Sequence, residues 1–257
     1  MPDATVNGGV VHYEAAGKGP PLVLLHGIGS NSRSWSRQLA TLSTDFKVVA
    51  WDAPGYGRSS DPPSIAPSMR FYAESLRGLL ETLDLRKIFL LGHSTGGVIA
   101  QEFHRLFPNF IRALVLADTR NVRSSAGLED RLKSIRTMTP AQLAAQRAPK
   151  LLSRNATPDL IREVESIIAE VRMPGYEFAA LALAESDTRD VAQRADVPLL
   201  LIWGEQDEIT PVWKEIPERA QLKIIPGAGH LCYIEQPEEF NRVVRNFLLA
   251  DTSEEQT

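Results

Sequence analysis

An apolar run at 88–91 leads directly into Gly92-His93-Ser94-Thr95-Gly96-Gly97, and a helix-compatible stretch follows to Phe107. A strand that turns sharply into a helix around a serine lifts the hydroxyl clear of the sheet. It also aims the helix N-terminus at the same space, where orphan N–H groups and the helix dipole favour developing negative charge. The G-x-S-x-G spacing therefore predicts a nucleophile at Ser94, suited to attack on a carbonyl. A chance match in a surface loop would lack the strand before it and the helix after it.

A serine hydroxyl is a weak nucleophile until a base takes its proton, and the base needs an acid to hold its tautomer. Downstream of an elbow serine, the acid and then the histidine are expected after later strands. The apolar run at 199–203 is followed by Gly204-Glu205-Gln206-Asp207-Glu208-Ile209-Thr210-Pro211, and the run at 222–225 by Pro226-Gly227-Ala228-Gly229-His230. His230, in a tight glycine loop, is the expected base. Asp207 is the expected acid, from its Gly-x-x-Asp-x-x-x-Pro setting, although Glu205 and Glu208 lie close by. Asp118, after the run at 113–117, is a rival for that role. His26 and His93 each adjoin a glycine in a turn and are expected to serve packing or loop hydrogen bonds.

Acyl transfer also needs two N–H donors for the oxyanion. The backbone N–H of Thr95 follows the nucleophile, and that of Ile28 lies in the loop His26-Gly27-Ile28-Gly29-Ser30. Arg120 and Arg123 are candidates for holding a substrate carboxylate, with a solvated loop position as the plainer reading. Trp35, Trp213 and Tyr233 are expected to pack rather than touch substrate.

The elements that would position these groups follow from periodicity. Strand-length apolar runs at 10–14, 22–26, 47–51, 88–92, 113–117, 199–203 and 222–225 alternate with helical patterns at 35–42, 69–84, 96–107 and 237–250. That alternation predicts an α/β protein with a mainly parallel sheet. Continuous Val/Ile/Leu runs suit strands covered on both faces. Between about 121 and 195 no strand-like run occurs, while 128–138, 140–152, 158–171 and 176–186 read as helices, with Pro174-Gly175 separating the last two. The expected organisation is a core of 1–120 and 196–257 with a helical cap at 121–195, either two helical hairpins or a loose lid. The segment 251–257 is expected to be a frayed polar tail.

Composition excludes several classes. The 257 residues carry 28 Lys+Arg against 32 Asp+Glu, a net charge of −4, with no basic block to suggest nucleic acid or a membrane surface. No apolar run approaches the roughly 18 residues that span a bilayer. The N-terminus lacks a signal-peptide pattern, so a cytoplasmic protein is expected. A single cysteine, Cys232, permits no intrachain disulfide, and the five histidines form no metal-ligand pattern. Neither cofactor nor metal is expected, and the partner is a small molecule.

On these residues the chain resembles the α/β-hydrolase fold superfamily. The matching segments, in order, are Leu24-Leu25-His26-Gly27, Trp51-Asp52-Ala53-Pro54-Gly55-Tyr56-Gly57-Arg58-Ser59, Gly92-His93-Ser94-Thr95-Gly96-Gly97, Gly204-Glu205-Gln206-Asp207 and Gly229-His230. They span about 10–120 and 196–250, and the helical block corresponds to the family's variable cap. The chain's size and the Gln236-Pro237-Glu238 helix start are similar to 3-oxoadipate enol-lactonases and their carboxylesterase relatives. Those lactonases commonly continue Ser-Met-Gly-Gly where this chain has Ser94-Thr95-Gly96-Gly97, a form also found among cofactor-free haloperoxidase/perhydrolase relatives. Haloalkane dehalogenases and soluble epoxide hydrolases attack with an elbow aspartate, which Ser94 argues against.

The resemblance implies a serine hydrolase that cleaves a carboxylic ester or lactone through an acyl-enzyme. C–C bond hydrolysis of ring-fission diketones, with the same three residues, is the second enzymatic expectation, and perhydrolysis a third. A ligand receptor that keeps the fold without turnover is the non-enzymatic alternative.

Overall fold

The computed structural model describes residues 2–64 and 66–254. Strands β1 (Asp3–Val6), β2 (Gly9–Ala16), β3 (Pro21–Leu25) and β4 (Lys47–Trp51) come first, with helix α1 (Ser36–Leu42) between β3 and β4. Helix α2 (Met69–Thr82), β5 (Ile88–His93), α3 (Thr95–Leu106) and β6 (Ile111–Ala117) follow. Five helices then run without a strand: α4 (Leu128–Thr137), α5 (Pro140–Leu151), α6 (Pro158–Ile168), α7 (Met173–Glu185) and α8 (Arg189–Arg194). The chain closes with β7 (Leu199–Gly204), β8 (Ala220–Ile225), α9 (Cys232–Glu235) and α10 (Pro237–Glu254).

The strands form one sheet in the order β1-β2-β4-β3-β5-β6-β7-β8. Only the β1–β2 and β2–β4 pairs are antiparallel; every later pair is parallel. The central strands are buried on both faces, and alternation splits them cleanly between two apolar layers. Val23 and Leu25 pack with Leu90 and Leu201 on one side, while Leu22 and Leu24 pack with Leu91 and Leu200 on the other. This is the period-2 consequence of a pleated strand.

Most expected elements match within a residue or two, and the departures have local causes. Strand β1 escaped the reading because Asp-Ala-Thr-Val has no apolar run. Its hairpin to β2 turns on Asn7 and Gly8, both at positive φ (50° and 82°), which is the dipeptide signal for a primed two-residue turn. Pro174-Gly175 does not separate two helices but lies in the first turn of α7. Proline loses nothing there, since its missing N–H would have no intrahelical acceptor. Gly175 is needed for approach to the core, because a Cβ on it would sit 2.6 Å from the Gly55 Cα. The expected frayed tail is helical through Glu254, as part of α10, and 255–257 lie outside the described residues. Helices α8 and α9, of six and four residues, are too short to show a period.

The helical block at 121–195 does not form two hairpins in succession. Helix α5 packs on α6, but α4 packs on α7, so the inner pair is nested within the outer one. Thr139 caps α5 in a reciprocal box with Gln142, and the Thr157 hydroxyl caps α6. Gly229 lets the block approach the core, as a Cβ there would lie 2.6 Å from the Leu152 carbonyl carbon.

Candidate active site

Ser94 sits between β5 and α3 at φ 52°, ψ −117°, a left-handed conformation that costs a non-glycine residue of order 1–3 kcal/mol. The surrounding backbone holds it there. Its N–H donates to the Ala117 carbonyl (2.9 Å), and its carbonyl accepts from the Gly97 N–H (3.0 Å) and the Thr119 hydroxyl (2.6 Å). Gly92 and Gly96 are required by proximity: a Cβ on Gly92 would meet the N–H nitrogen of Gly97 at 2.6 Å, and one on Gly96 the Leu25 carbonyl carbon at 2.6 Å. Thr119, a buried clamp on the elbow, gave no sequence signal of its own.

The structure brings Ser94, His230 and Asp207 together. The Ser94 Oγ lies 3.1 Å from His230 Nε2, and His230 Nδ1 lies 2.9 Å from Asp207 Oδ2. Both the imidazole and the carboxylate are nearly enclosed, with side-chain exposures of 4% and 1%. The other Asp207 oxygen accepts from the N–H groups of Ile209 (2.7 Å) and Thr210 (3.1 Å). Burial raises the Asp207 pKa, but the His230 bond, its charge and these two N–H donors outweigh burial and hold the carboxyl below its ordinary value. The flanking acids hold loops instead: Glu205 accepts from the Gly227 N–H (2.8 Å), Glu208 pairs with Arg154, and Glu235 accepts from the Gly229 N–H (2.7 Å).

Asp118 is fully buried beside this group, with carboxyl oxygens within 4.8 Å of ligating atoms of Asp207 and His230. It does not hold the imidazole. One oxygen accepts from the Gly204 N–H (2.8 Å) and the other from the Cys232 thiol (2.9 Å). Burial first, then the Asp207 charge, pushes its pKa well up, and the side chain braces β6, β7 and α9.

The other two turn histidines are structural. His26 accepts from the Ala53 N–H through Nε2 (3.0 Å) while its Nδ1 meets the Gly27 carbonyl (2.9 Å), tying the loops after β3 and β4. His93 donates from Nε2 to the His230 carbonyl (2.8 Å) and so fixes the backbone of His230. Burial, then the charge of His230, pushes the His93 pKa down to about 3, and burial also lowers that of His26. Between the ordinary imidazole value and about 3, the unfolded chain takes up protons that the folded chain refuses. Stability is therefore expected to fall as pH drops below about 6.5, by about 1.4 kcal/mol per unit for His93, with a contribution of the same sign from His26. Urea midpoints measured from pH 7.5 to 4.5 check this, and a midpoint that does not fall would contradict it.

The N–H groups of Ile28 and Thr95 have no acceptor among the described residues, and both residues border the cavity above Ser94. Thr95 opens α3, so its N–H has no intrahelical partner. The cavity measures about 1140 Å³ and lies between the C-terminal ends of β3, β5, β6 and β7 and the helices α4–α8. Arg120 reaches it, anchored by the carbonyls of Ser124 (3.1 Å) and Leu183. Arg123 does not: its exposed guanidinium pairs with Glu185, which spends its charge at the surface. Trp35 packs against Tyr233, ring centroids 4.1 Å apart, away from the cavity. Tyr233 and Trp213 pack as expected but also border the cavity, and the Trp213 Nε1–H donates to the Thr119 carbonyl (2.6 Å). Arg131 and Arg147 also border it and were missed, because sequence alone does not phase the cap helices against the core.

A parallel sheet bearing a serine elbow at one strand end, with helices closing a cavity over that end, is the architecture of the α/β hydrolases. The chain belongs to the alpha/beta hydrolase fold family, whose model matches residues 20–237, and it is a hydrolytic enzyme of that family. A thermophilic esterase from Thermogutta terrifontis superimposes with a TM-score of 0.88 at 29% identity, covering 97% of this chain and 98% of that one. The 3-oxoadipate enol-lactonase 2 of Acinetobacter baylyi is 28% identical over 88% of this chain and 87% of its own. The 2-hydroxy-6-oxo-2,4-heptadienoate hydrolase of Pseudomonas putida is 28% identical over 91% of each. No described helix is long and apolar enough to cross a membrane.

Proposed function

We propose that the protein hydrolyses a carboxylic ester or lactone by transient acylation of Ser94. The observation that carries this is the Ser94–His230–Asp207 relay, at 3.1 and 2.9 Å, opening on a cavity bordered by free N–H groups of Ile28 and Thr95. Neutral His230 accepts the Ser94 proton through Nε2 as Oγ attacks the carbonyl carbon. The Asp207 carboxylate holds the Nδ1–H and stabilises the imidazolium that forms. The oxyanion is received by the N–H groups of Ile28 and Thr95, each worth about a hundredfold to a thousandfold in rate. The His230 proton then passes to the departing alkoxide, and water repeats the cycle to release the acid and regenerate Ser94. Esterase and lactonase names among similar proteins support this reading.

The test is a panel of nitrophenyl esters of increasing acyl length, several lactones and a ring-fission diketone, with fluorophosphonate labelling alongside. Ester or lactone turnover, with a single phosphonylated site at Ser94, is expected. Turnover of the diketone alone would move the assignment to C–C hydrolysis, and perhydrolysis would appear as peracid formed with hydrogen peroxide. Stable binding without turnover or labelling would favour a receptor.

A further inference from the structure

Three arginines border the cavity with no carboxylate within ion-pair distance among the described residues: Arg120 after β6, Arg131 on α4 and Arg147 on α5. Other arginines of the same helical block are matched. Arg136 pairs with Glu177, Arg154 with Glu208, Arg162 with Asp159 and Arg172 with Asp61. Of the acids that border the cavity, Asp187 pairs with Arg189 and Asp190 with Arg105, while Glu215 is exposed to solvent.

The three charges also oppose one another. Burial, then the charge of Arg131, pushes the Arg120 pKa down to about 10, and burial followed in part by Arg147 lowers that of Arg131. The Arg120 Nε is buried without a partner. Half-buried guanidinium groups left to repel one another destabilise the protein unless an anion joins them. Apolar side chains of Val98, Leu151, Val164, Ile168 and Leu183 also border the cavity. A substrate suited to this space has an apolar body and one ionised end.

We propose that Arg131 and Arg147, with Arg120 beside them, form a subsite for a free carboxylate on the substrate, remote from the bond cleaved at Ser94. The enzyme then selects esters or lactones carrying an additional ionised carboxyl group. The planar guanidinium fork, anchored at Arg120 by two carbonyls, matches a carboxylate in two parallel hydrogen bonds. This specificity rests on the ester or lactone reading above, whereas the anion subsite itself does not.

Two measurements separate the subsite from the chemistry. Calorimetry compares adipate, hexanoate and inorganic phosphate on wild type, Arg131→Gln and Arg147→Gln. Adipate is expected to bind more tightly than the others and to weaken about tenfold to a hundredfold in each variant. Kinetics compare matched pairs: mono-4-nitrophenyl adipate against 4-nitrophenyl hexanoate, and 4-carboxyphenyl acetate against phenyl acetate. A higher kcat/KM for the charged member of at least one pair is expected, with the charged-to-neutral ratio falling about tenfold to a hundredfold in the variants. Cooperative thermal melts with midpoints at or above that of wild type show that the variants fold.

Arginine-dependent adipate binding without any ester turnover would keep the subsite and reject the hydrolase reading. Ester turnover with no charged preference in either pair and no arginine-dependent adipate binding would reject the subsite alone. Phosphate binding more tightly than adipate would overturn the carboxylate assignment.

Discussion

Ser94→Ala is expected to lower kcat by about five to six orders of magnitude, with KM little changed. The hydroxyl is the only group of the elbow that reaches His230 Nε2, so removing it removes both nucleophile and proton donor. The residual rate would come from substrate binding and the N–H groups of Ile28 and Thr95, which do not depend on the side chain. The fold is expected to tolerate the change within about 0.5 kcal/mol. The elbow is held by backbone contacts to Ala117, Gly97 and Thr119, all of which alanine keeps. Stopped-flow or long-time-course assays on a nitrophenyl ester, with a thermal melt on the same preparation, check both halves. A loss smaller than about a hundredfold would mean that the reaction proceeds without acylating Ser94.

Asp207→Asn is expected to cost about 10⁴ in kcat. The geometry gives the reason. Asp207 Oδ1 accepts from the Ile209 and Thr210 N–H groups, so the amide oxygen of asparagine stays there and its NH₂ turns toward His230 Nδ1. An NH₂ donor makes Nδ1 the acceptor and places the ring proton on Nε2, which then cannot take the proton of Ser94. Asp118→Asn is expected to cost less than about tenfold. Burial and the Asp207 charge already disfavour the ionised form of Asp118, and an amide oxygen still accepts from the Gly204 N–H. Parallel kcat and kcat/KM values for the two variants decide between the acids. A larger loss at Asp118 would make it the working acid.

Most of the candidate site was legible because its signals are local. Gly92 and Gly96 are read at once as glycines that a tight strand–helix junction demands, and the contacts their missing Cβ atoms avoid bear this out. His230 and Asp207 follow strands whose apolar runs are unmistakable. The choice between Asp207 and Asp118 was harder, since both follow such strands. It turns on a gap of a few ångströms between segments far apart in sequence, with His230 23 residues from Asp207 and Cys232 114 residues from Asp118. Arg123 and Arg131 show the same limit from the substrate side. Both are cap-proximal arginines, yet one pairs with Glu185 at the surface and the other borders the cavity.

The layered α/β architecture, the serine elbow and the histidine and acid loops follow from local patterns in the chain. Each depends on hydrophobic period, turn chemistry or short spacing, which neighbouring residues settle among themselves. Packing between distant segments decided that α4 packs on α7, that Thr119 clamps the elbow, that Asp118 becomes a buried brace, and that Arg131 and Arg147 border the cavity. Those outcomes depend on the rotational phase of helices and on the desolvation of one charge by distant parts of the chain, quantities that exist only once the chain has closed on itself.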